Sequence, residues 1–312
     1  MFLQNVIAII WDFDKTLSPQ YMQAPLFRAY GVDEQQFWAE VKGLPDYYRR
    51  AGIHVPQDTC YLGHLLTYVK EGLMPGLCNQ RLHELGAEIE FFPGVLELFD
   101  RLNEVLVEPE FREGDLRLEH YVVSTGLAEM IRGSGIAGRL AGIWASEFIE
   151  SPALPGFDPG QTPQAGSLTQ IAGFLDNTTK TRAIFEINKG VNRHPEINVN
   201  DMIPEEDRRV PVRNMIYVAD GPSDIPSFSV IRKHGGLAFA VYEADSEDQF
   251  AQVVELQRTG RVDDYGPAEY GAGSQTDKWL RLHVRKIAER IMAERRRALE
   301  SRVGAGPRHV VE

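Results

Sequence analysis

The sequence predicts an α/β protein, built on a mostly parallel sheet with helical crossovers and with a helical segment inserted directly after the first strand. Three observations lead there. Short apolar, β-branched or aromatic runs recur at 6–11, 121–123, 215–219 and 237–242, separated by helical patterns or polar loop, as expected of strands buried on both faces. Three of these runs end in small or acidic polar residues, Asp12, Ser124 and Asp220. In open α/β sheets ligands bind beyond the carboxyl ends of the strands, so these residues are expected to converge on one crevice. Between the first run and Phe91, finally, no strand pattern occurs.

The elements follow in order. After "VIAIIW" and the acids behind it, "VDEQQFWAEVKGL" has a cap candidate in Asp33 and apolar residues at helical spacing. "QDTCYLGHLLTYVKEGL" reads the same way, and "NQRLHELG" is a short helix ending at Gly86. Residues 18–90 are therefore expected to form a helical insertion, a size at which a small core of its own is feasible. The chain returns to the sheet domain, 1–17 and 91–312, through "FFPGVLELFDRLNEVL". There Pro93 suits a helix start and Val95, Leu98, Phe99 and Leu102 form an apolar stripe. "SPALPGFDPGQTPQAGS" and "RTGRVDDYGPAEYGAGSQ" read as long loops. Thr276 is a cap candidate for a C-terminal helix over 275–303 with apolar positions Leu280, Val284, Ile287 and Ile291. Basic residues 295–297 on that helix suit either a phosphate patch or a solvated face.

Composition narrows the function classes. With 312 residues, 43% hydrophobic and 25% charged, the chain reads as an ordinary soluble globular protein. No apolar run approaches the ~20 residues that span a bilayer, and the first residues lack the basic region and cleavage site of a signal peptide. Cys60 and Cys78 make neither a disulfide framework nor a paired zinc motif, and a cytoplasmic location is the expectation. A formal net charge of -12 disfavours nucleic acid and anionic membrane as partners, yet is compatible with a small anionic substrate if a bound cation and local donors outweigh the global field.

The chemistry lies at the strand ends. Asp12 and Asp14, one residue apart, point to one side if the strand geometry continues. Neighbouring carboxylates repel, so one must hold a proton or a cation must sit between them. "YVADGPSD" adds Asp220 and Asp224 across a Gly-Pro turn. Each acid taken singly suits a turn or a helix cap, whereas the two pairs together suit a hard, oxygen-loving ion such as magnesium. Ser124, Thr125 and Gly126 form a small polar turn before the short helix "LAEMI", suited to phosphate or simply to capping. Lys180, at the start of a helix in "DNTTKTRAIFEIN", can neutralise an acid or a phosphate oxygen.

"DFDKTL", "VVSTG", Lys180 before "TRAIFEI" and "ADGPSD", in this order, resemble the haloacid dehalogenase superfamily, in particular its phosphoserine-phosphatase-like branch. The resemblance implies a Rossmann-like three-layer core with a helical cap inserted at 18–90. It implies that Asp12 is a nucleophile forming an aspartyl-phosphate, that Asp14 is the general acid and base, and that Thr16 holds the flap and Asp14 in place. Thr16, Ser124, Thr125, Gly126, Lys180 and Ser223 would bind phosphate, with Lys180 also beside Asp12. Magnesium would be held by Asp12, Asp14 and Asp220, with Asp224 in support. The string Asp14-Lys15-Thr16 also matches transport ATPases in which the first acid is the nucleophile, but those need transmembrane helices. A dehalogenase attacking carbon needs neither Asp14 nor the second acid pair.

The activity implied is hydrolysis of a small phosphomonoester, with phosphoryl transfer to a second acceptor and a non-enzymatic binding or regulatory role as alternatives. Where phosphoserine phosphatases carry an acid for the substrate amine, this chain has Tyr21 and no acid before Asp33. Substrate choice is expected in the cap, with Tyr21, Arg49 and Arg50 as candidates, the "DYYRR" cluster being suited either to an anionic group or to cap surface. A homodimer contact through the C-terminal helix is a further expectation.

Overall fold

The computed structural model describes residues 3–303; the end of the expected core segment, 304–312, lies outside the described residues. Seven strands form one sheet in the order β4-β3-β2-β1-β5-β6-β7. They are β1 (Val6–Trp11), β2 (Arg117–Leu127), β3 (Leu140–Ile149), β4 (Gln170–Gly173), β5 (Met215–Ala219), β6 (Leu237–Tyr242) and β7 (Asp264–Pro267). Every neighbouring pair is parallel except β3 with β4. β1 is central and all six of its residues are buried, because helices cover both faces. That is why "VIAIIW" is continuously apolar rather than alternating.

On one face Ile7, Ile9, Trp11 and Val122 pack with α5 (Val95–Glu104), α6 (Ala128–Gly133) and α10 (Gln275–Val303). On the other, Val6, Ala8 and Ile10 pack with α7 (Lys180–Lys189), α8 (Ile225–Lys233) and α9 (Glu247–Arg258). The stripe Val95, Leu98, Phe99 and Leu102 is buried as its spacing predicts. So are Leu280, Val284, Ile287 and Ile291 of α10, which lie in the chain's own core. No helix among the described residues is long and apolar enough to cross a membrane.

The inserted segment holds α1 (Ala24–Tyr30), α2 (Glu34–Arg49), α3 (Cys60–Lys70) and α4 (Asn79–Gly86). Asp33 caps α2 as its spacing predicts, accepting from the Gln36 N–H at 3.0 Å. Phe37, Val41, Leu62 and Leu65 join the same apolar cluster as the first face of the sheet, so the insertion and the sheet share one core. The crossing of α4 on α6 needs two glycines. A Cβ on Gly86 would lie 2.2 Å from the Met130 carbonyl oxygen, and one on Gly133 would lie 1.7 Å from that of His83.

Several local readings need correction. β3, β4 and β7 leave no strand pattern in the sequence: "LAGIWASEFI" mixes glycine and polar residues, "QIAG" is a fully exposed edge, and "DYGP" has the composition of a turn. Ser124, Thr125 and Gly126 are not a separate turn but the last part of β2, where its register against β3 shifts. Thr276 is not the cap of α10: the Ser274 hydroxyl accepts from the Asp277 N–H at 3.1 Å, while the Thr276 hydroxyl donates to the Pro267 carbonyl at 2.6 Å, tying the helix to β7.

Asp277, fully buried, accepts from Arg101 Nε at 3.1 Å and from the Gly273 N–H at 2.9 Å. This pair docks α10 on α5. Removing one partner of a buried ion pair strands the other, so Asp277→Ala is expected to lower stability by about 3 kcal/mol, read from the midpoint of urea unfolding with an unchanged slope.

Candidate active site

The register of the central strands builds the site. Ile10 of β1 lies opposite Tyr121 of β2, and Trp11 lies opposite Val218 of β5, so the residues that follow each strand emerge side by side. The Asp12 N–H still donates to the Val218 carbonyl at 2.9 Å, one residue past β1. The chain then turns sharply. Lys15 has φ 61°, its N–H donates to the Ser18 carbonyl at 2.8 Å, and the Leu17 N–H donates to Phe13 at 2.8 Å. The turn brings the Asp14 carboxylate onto the Met22 N–H at 2.8 Å.

Lys180, the first residue of α7, is buried, with 1% of its surface exposed. Its ammonium donates to Asp12 Oδ1 and to Asp224 Oδ1, each at 2.9 Å. The turn that presents it is organised by Asp176, whose carboxylate accepts from the N–H groups of Thr178 and Thr179 at 2.8 and 2.6 Å; these bonds hold Asp176 below the usual carboxylate range. Asp224, fully buried, also accepts from the Tyr217 hydroxyl at 2.7 Å and the Ser223 hydroxyl at 2.8 Å. On the β2 side the Ser124 hydroxyl oxygen accepts from the Gly126 N–H at 3.0 Å. Gly126 has no room for a side chain, since a Cβ would lie 2.2 Å from the Met22 methyl.

A cavity of about 370 Å³ opens over these groups. Of the residues singled out from sequence, Asp12, Asp14, Tyr21, Ser124, Thr125, Gly126, Asp220 and Ser223 line it. Lys180 and Asp224 lie beneath, in contact with Asp12 or with each other. Three others lie elsewhere. Thr16 is fully buried behind the turn, its carbonyl accepting from the Tyr270 hydroxyl and its own hydroxyl without a partner, so it does not reach the cavity. Arg49 and Arg50 sit at the exposed far end of α2, and Arg49 pairs with Asp46. α2 instead turns Trp38 and Val41 toward the cavity, the turn before α3 contributes Gln57 and Asp58, and α3 itself contributes Tyr61. Lys15, Gln23 and Asn177 complete the wall. Trp38 and Val41 are three residues apart on α2, and that helical spacing is the signal in the sequence that could have flagged them; Asp58, in the turn before α3, leaves no such pattern.

The electrostatics are one-sided. Burial, opposed by Lys180 and reinforced by Asp224, pushes Asp12 up to about 6. Burial and the charge of Asp12 push Asp14 up to about 7, and burial with Asp12 and Asp224 pushes Asp220 up to about 8. Burial alone would lower Lys180, but the carboxylates of Asp12 and Asp224 hold it above the ordinary lysine value. Lys180 beneath the cavity and Lys15 on its lining face four acids. Carboxylate oxygens of Asp12, Asp220 and Asp224 lie within 4.8 Å of one another, an all-oxygen donor set that fits a hard divalent cation such as magnesium. Since Asp224 is taken up by Lys180, Tyr217 and Ser223, Asp12 and Asp220 are the two with oxygens on the cavity.

No family model matches the sequence. A protein of Borreliella burgdorferi described as uncharacterized is 37% identical over 283 residues, covering 89% of this chain and 96% of that protein. Among solved structures, the chain is similar to a haloacid dehalogenase family hydrolase of Salmonella enterica serovar Typhi, with TM-score 0.48, 13% identity and coverage of 84% of this chain and 66%, just under two thirds, of that one. It is similar to a probable phosphoserine phosphatase of Vibrio cholerae, with TM-score 0.48, 14% identity and coverage of 93% and 68%. A phosphoserine phosphatase in a phospho-aspartyl intermediate analogue form gives TM-score 0.45 and 17% identity over 86% and 94%. Likeness at this level carries no functional meaning for the present chain.

An acid whose folded pKa lies above its ordinary 3.8 holds its proton more tightly folded than unfolded, so its contribution to stability falls as pH rises from 4 toward 8. In metal-free protein Asp220→Asn is therefore expected to raise Tm by several degrees at pH 8 and to change it little at pH 4. The same substitution is expected to remove the rise in Tm that magnesium gives the parent protein. A lower Tm for the variant at pH 8 would contradict the mutual repulsion described here.

Proposed function

We propose that this chain, which belongs to the same family as the Borreliella burgdorferi protein, is a magnesium-dependent phosphatase of the haloacid dehalogenase type acting on a small phosphomonoester. The observation that carries the reading is the Lys180 ammonium, 2.9 Å from both Asp12 and Asp224, with Ser124, Thr125 and Gly126 on the wall of the same cavity. Nucleophile, charge-neutralising lysine, second acid pair and phosphate donors thus surround one space of substrate size.

In this reading an Asp12 carboxylate oxygen attacks phosphorus as the ester P–O bond breaks, and the leaving oxygen takes the proton held by Asp14. Asp14, now a carboxylate, takes a proton from the water whose oxygen attacks phosphorus in turn. The bond to Asp12 breaks and phosphate departs. The hydroxyl of Ser124 and the backbone N–H groups beside it bind the phosphoryl oxygens. Lys180 fixes the orientation of Asp12 and offsets its charge. Asp12, Asp220 and the Asp14 carbonyl would hold magnesium, with Asp224 behind them; when bound, the ion lets an anionic nucleophile approach an anionic phosphate. The helices of 18–90 would act as the cap over this chemistry.

Turnover of p-nitrophenyl phosphate is expected with magnesium and not after chelation. Asp12→Asn is expected to lower kcat by about 10⁴-fold or more, and Asp14→Asn by roughly 10²–10⁴-fold. No turnover in the parent protein, or full activity in Asp12→Asn, would sink the assignment.

A further inference from the structure

We infer that the leaving group accepted by this site carries a protonated amine and no second anionic group, and that Trp38, Tyr61 and Asp58 recognise it. The inference rests on the phosphatase reading and names its substrate class.

Part of the cavity wall is aromatic. Tyr21, Trp38 and Tyr61 all line it, with ring centroids 5.1 Å apart for Tyr21 and Trp38 and 5.7 Å for Trp38 and Tyr61. Aromatic faces attract a cation and offer an anion nothing. Beside them the Asp58 carboxylate is half-buried and accepts only a long bond, 3.4 Å, from the Asn177 N–H. No lysine or arginine among the described residues pairs with it. Gln23, 2% exposed, and Asn177 each carry a buried amide oxygen without a partner. The Tyr61 hydroxyl spends its proton on the Thr125 carbonyl at 2.7 Å.

The wall therefore offers unused acceptors, and its one cation is already engaged by a carbonyl and an aromatic ring. Lys15, the one cationic side chain on the lining, donates to the Pro19 carbonyl and lies 5.9 Å from the Tyr21 ring centre. The arginines that could have held a carboxylate or second phosphate, Arg49 and Arg50, are exposed on the far end of α2. With Asp14 protonated, Asp12, Asp58, Asp220 and Asp224 are balanced by Lys15, Lys180 and one divalent ion; the substrate's own phosphoryl charge then leaves the cavity negative, so a second anion on the leaving group is repelled and an ammonium attracted. A plain hydroxyl would satisfy an amide oxygen but would use neither the aromatic faces nor the field. The volume, about 370 Å³, holds a phosphate and a short amino alcohol.

The test compares esters of matched size on the full chain with magnesium: O-phosphoethanolamine, its neutral isostere 2-hydroxyethyl phosphate, and phosphoglycolate, with p-nitrophenyl phosphate as the generic ester. The amine ester is expected to exceed the neutral one in kcat/KM by roughly tenfold or more, with the carboxylate ester lowest. Trp38→Leu and Asp58→Asn are each expected to reduce the amine-to-neutral ratio by roughly tenfold. A merely structural role would lower both esters alike and leave the ratio unmoved, which would overturn the assignment of these residues. Equal use of the neutral ester, or preference for the carboxylate, overturns the inference while turnover of p-nitrophenyl phosphate leaves the phosphatase reading standing. Absence of turnover on all four defeats that reading and the inference with it.

Discussion

The structure of this site depends on one buried ammonium. Lys180 joins Asp12, 168 residues away in sequence, to Asp224, 44 residues away. Burying an ion costs several kcal/mol unless its partners and their remaining hydrogen bonds are well placed. Here they are. Asp224 takes two hydroxyl donors besides Lys180, and Asp176 holds the turn that delivers the lysine at the start of α7. Without the lysine, two carboxylates would be left buried against each other and the ends of β1 and β5 would repel.

The sheet makes this arrangement available. Because β2, β1 and β5 are adjacent and parallel, their following residues share one edge, and no long loop has to carry a functional side chain far. The inserted helices close the space from above and share the apolar core of the sheet. Tyr61 links the two parts directly, its hydroxyl donating to the Thr125 carbonyl between Ser124 and Gly126. Shared burial excludes water, and exclusion of water is the first cause of every raised carboxyl in the site.

Such a site is unfavourable by itself. Four acids around Lys180 and Lys15, with amide oxygens left unpartnered on the wall, store a cost that a bound cation and a donor-bearing ligand both relieve. Local conflict of this kind is expected where function rather than stability selects the residues. The rest of the molecule is consistent across levels. Stripes that look apolar are buried, and Asp277 and Arg101 satisfy one another where α10 meets α5.

The sequence by itself determined the strands buried on both faces, the polar residues that end them and the helical character of 18–90, because a continuous apolar run and a 3.6-residue stripe are one-dimensional patterns. It also singled out Asp12, Asp14, Ser124 and Asp220 through their positions at strand ends. Edge and turn-like strands escaped it, since "QIAG" and "DYGP" pair through backbone and leave no pattern in side chains. Tertiary structure alone decided that Lys180 bridges two acids, that Asp224 is taken up by neighbours, and that Thr16 faces the core. It also decided that α2 offers Trp38 to the cavity while Arg49 and Arg50 face solvent. The reason is geometric: which face of a helix meets a cavity depends on how that helix docks, and docking is fixed by contacts between residues far apart in the chain, which no local spacing records.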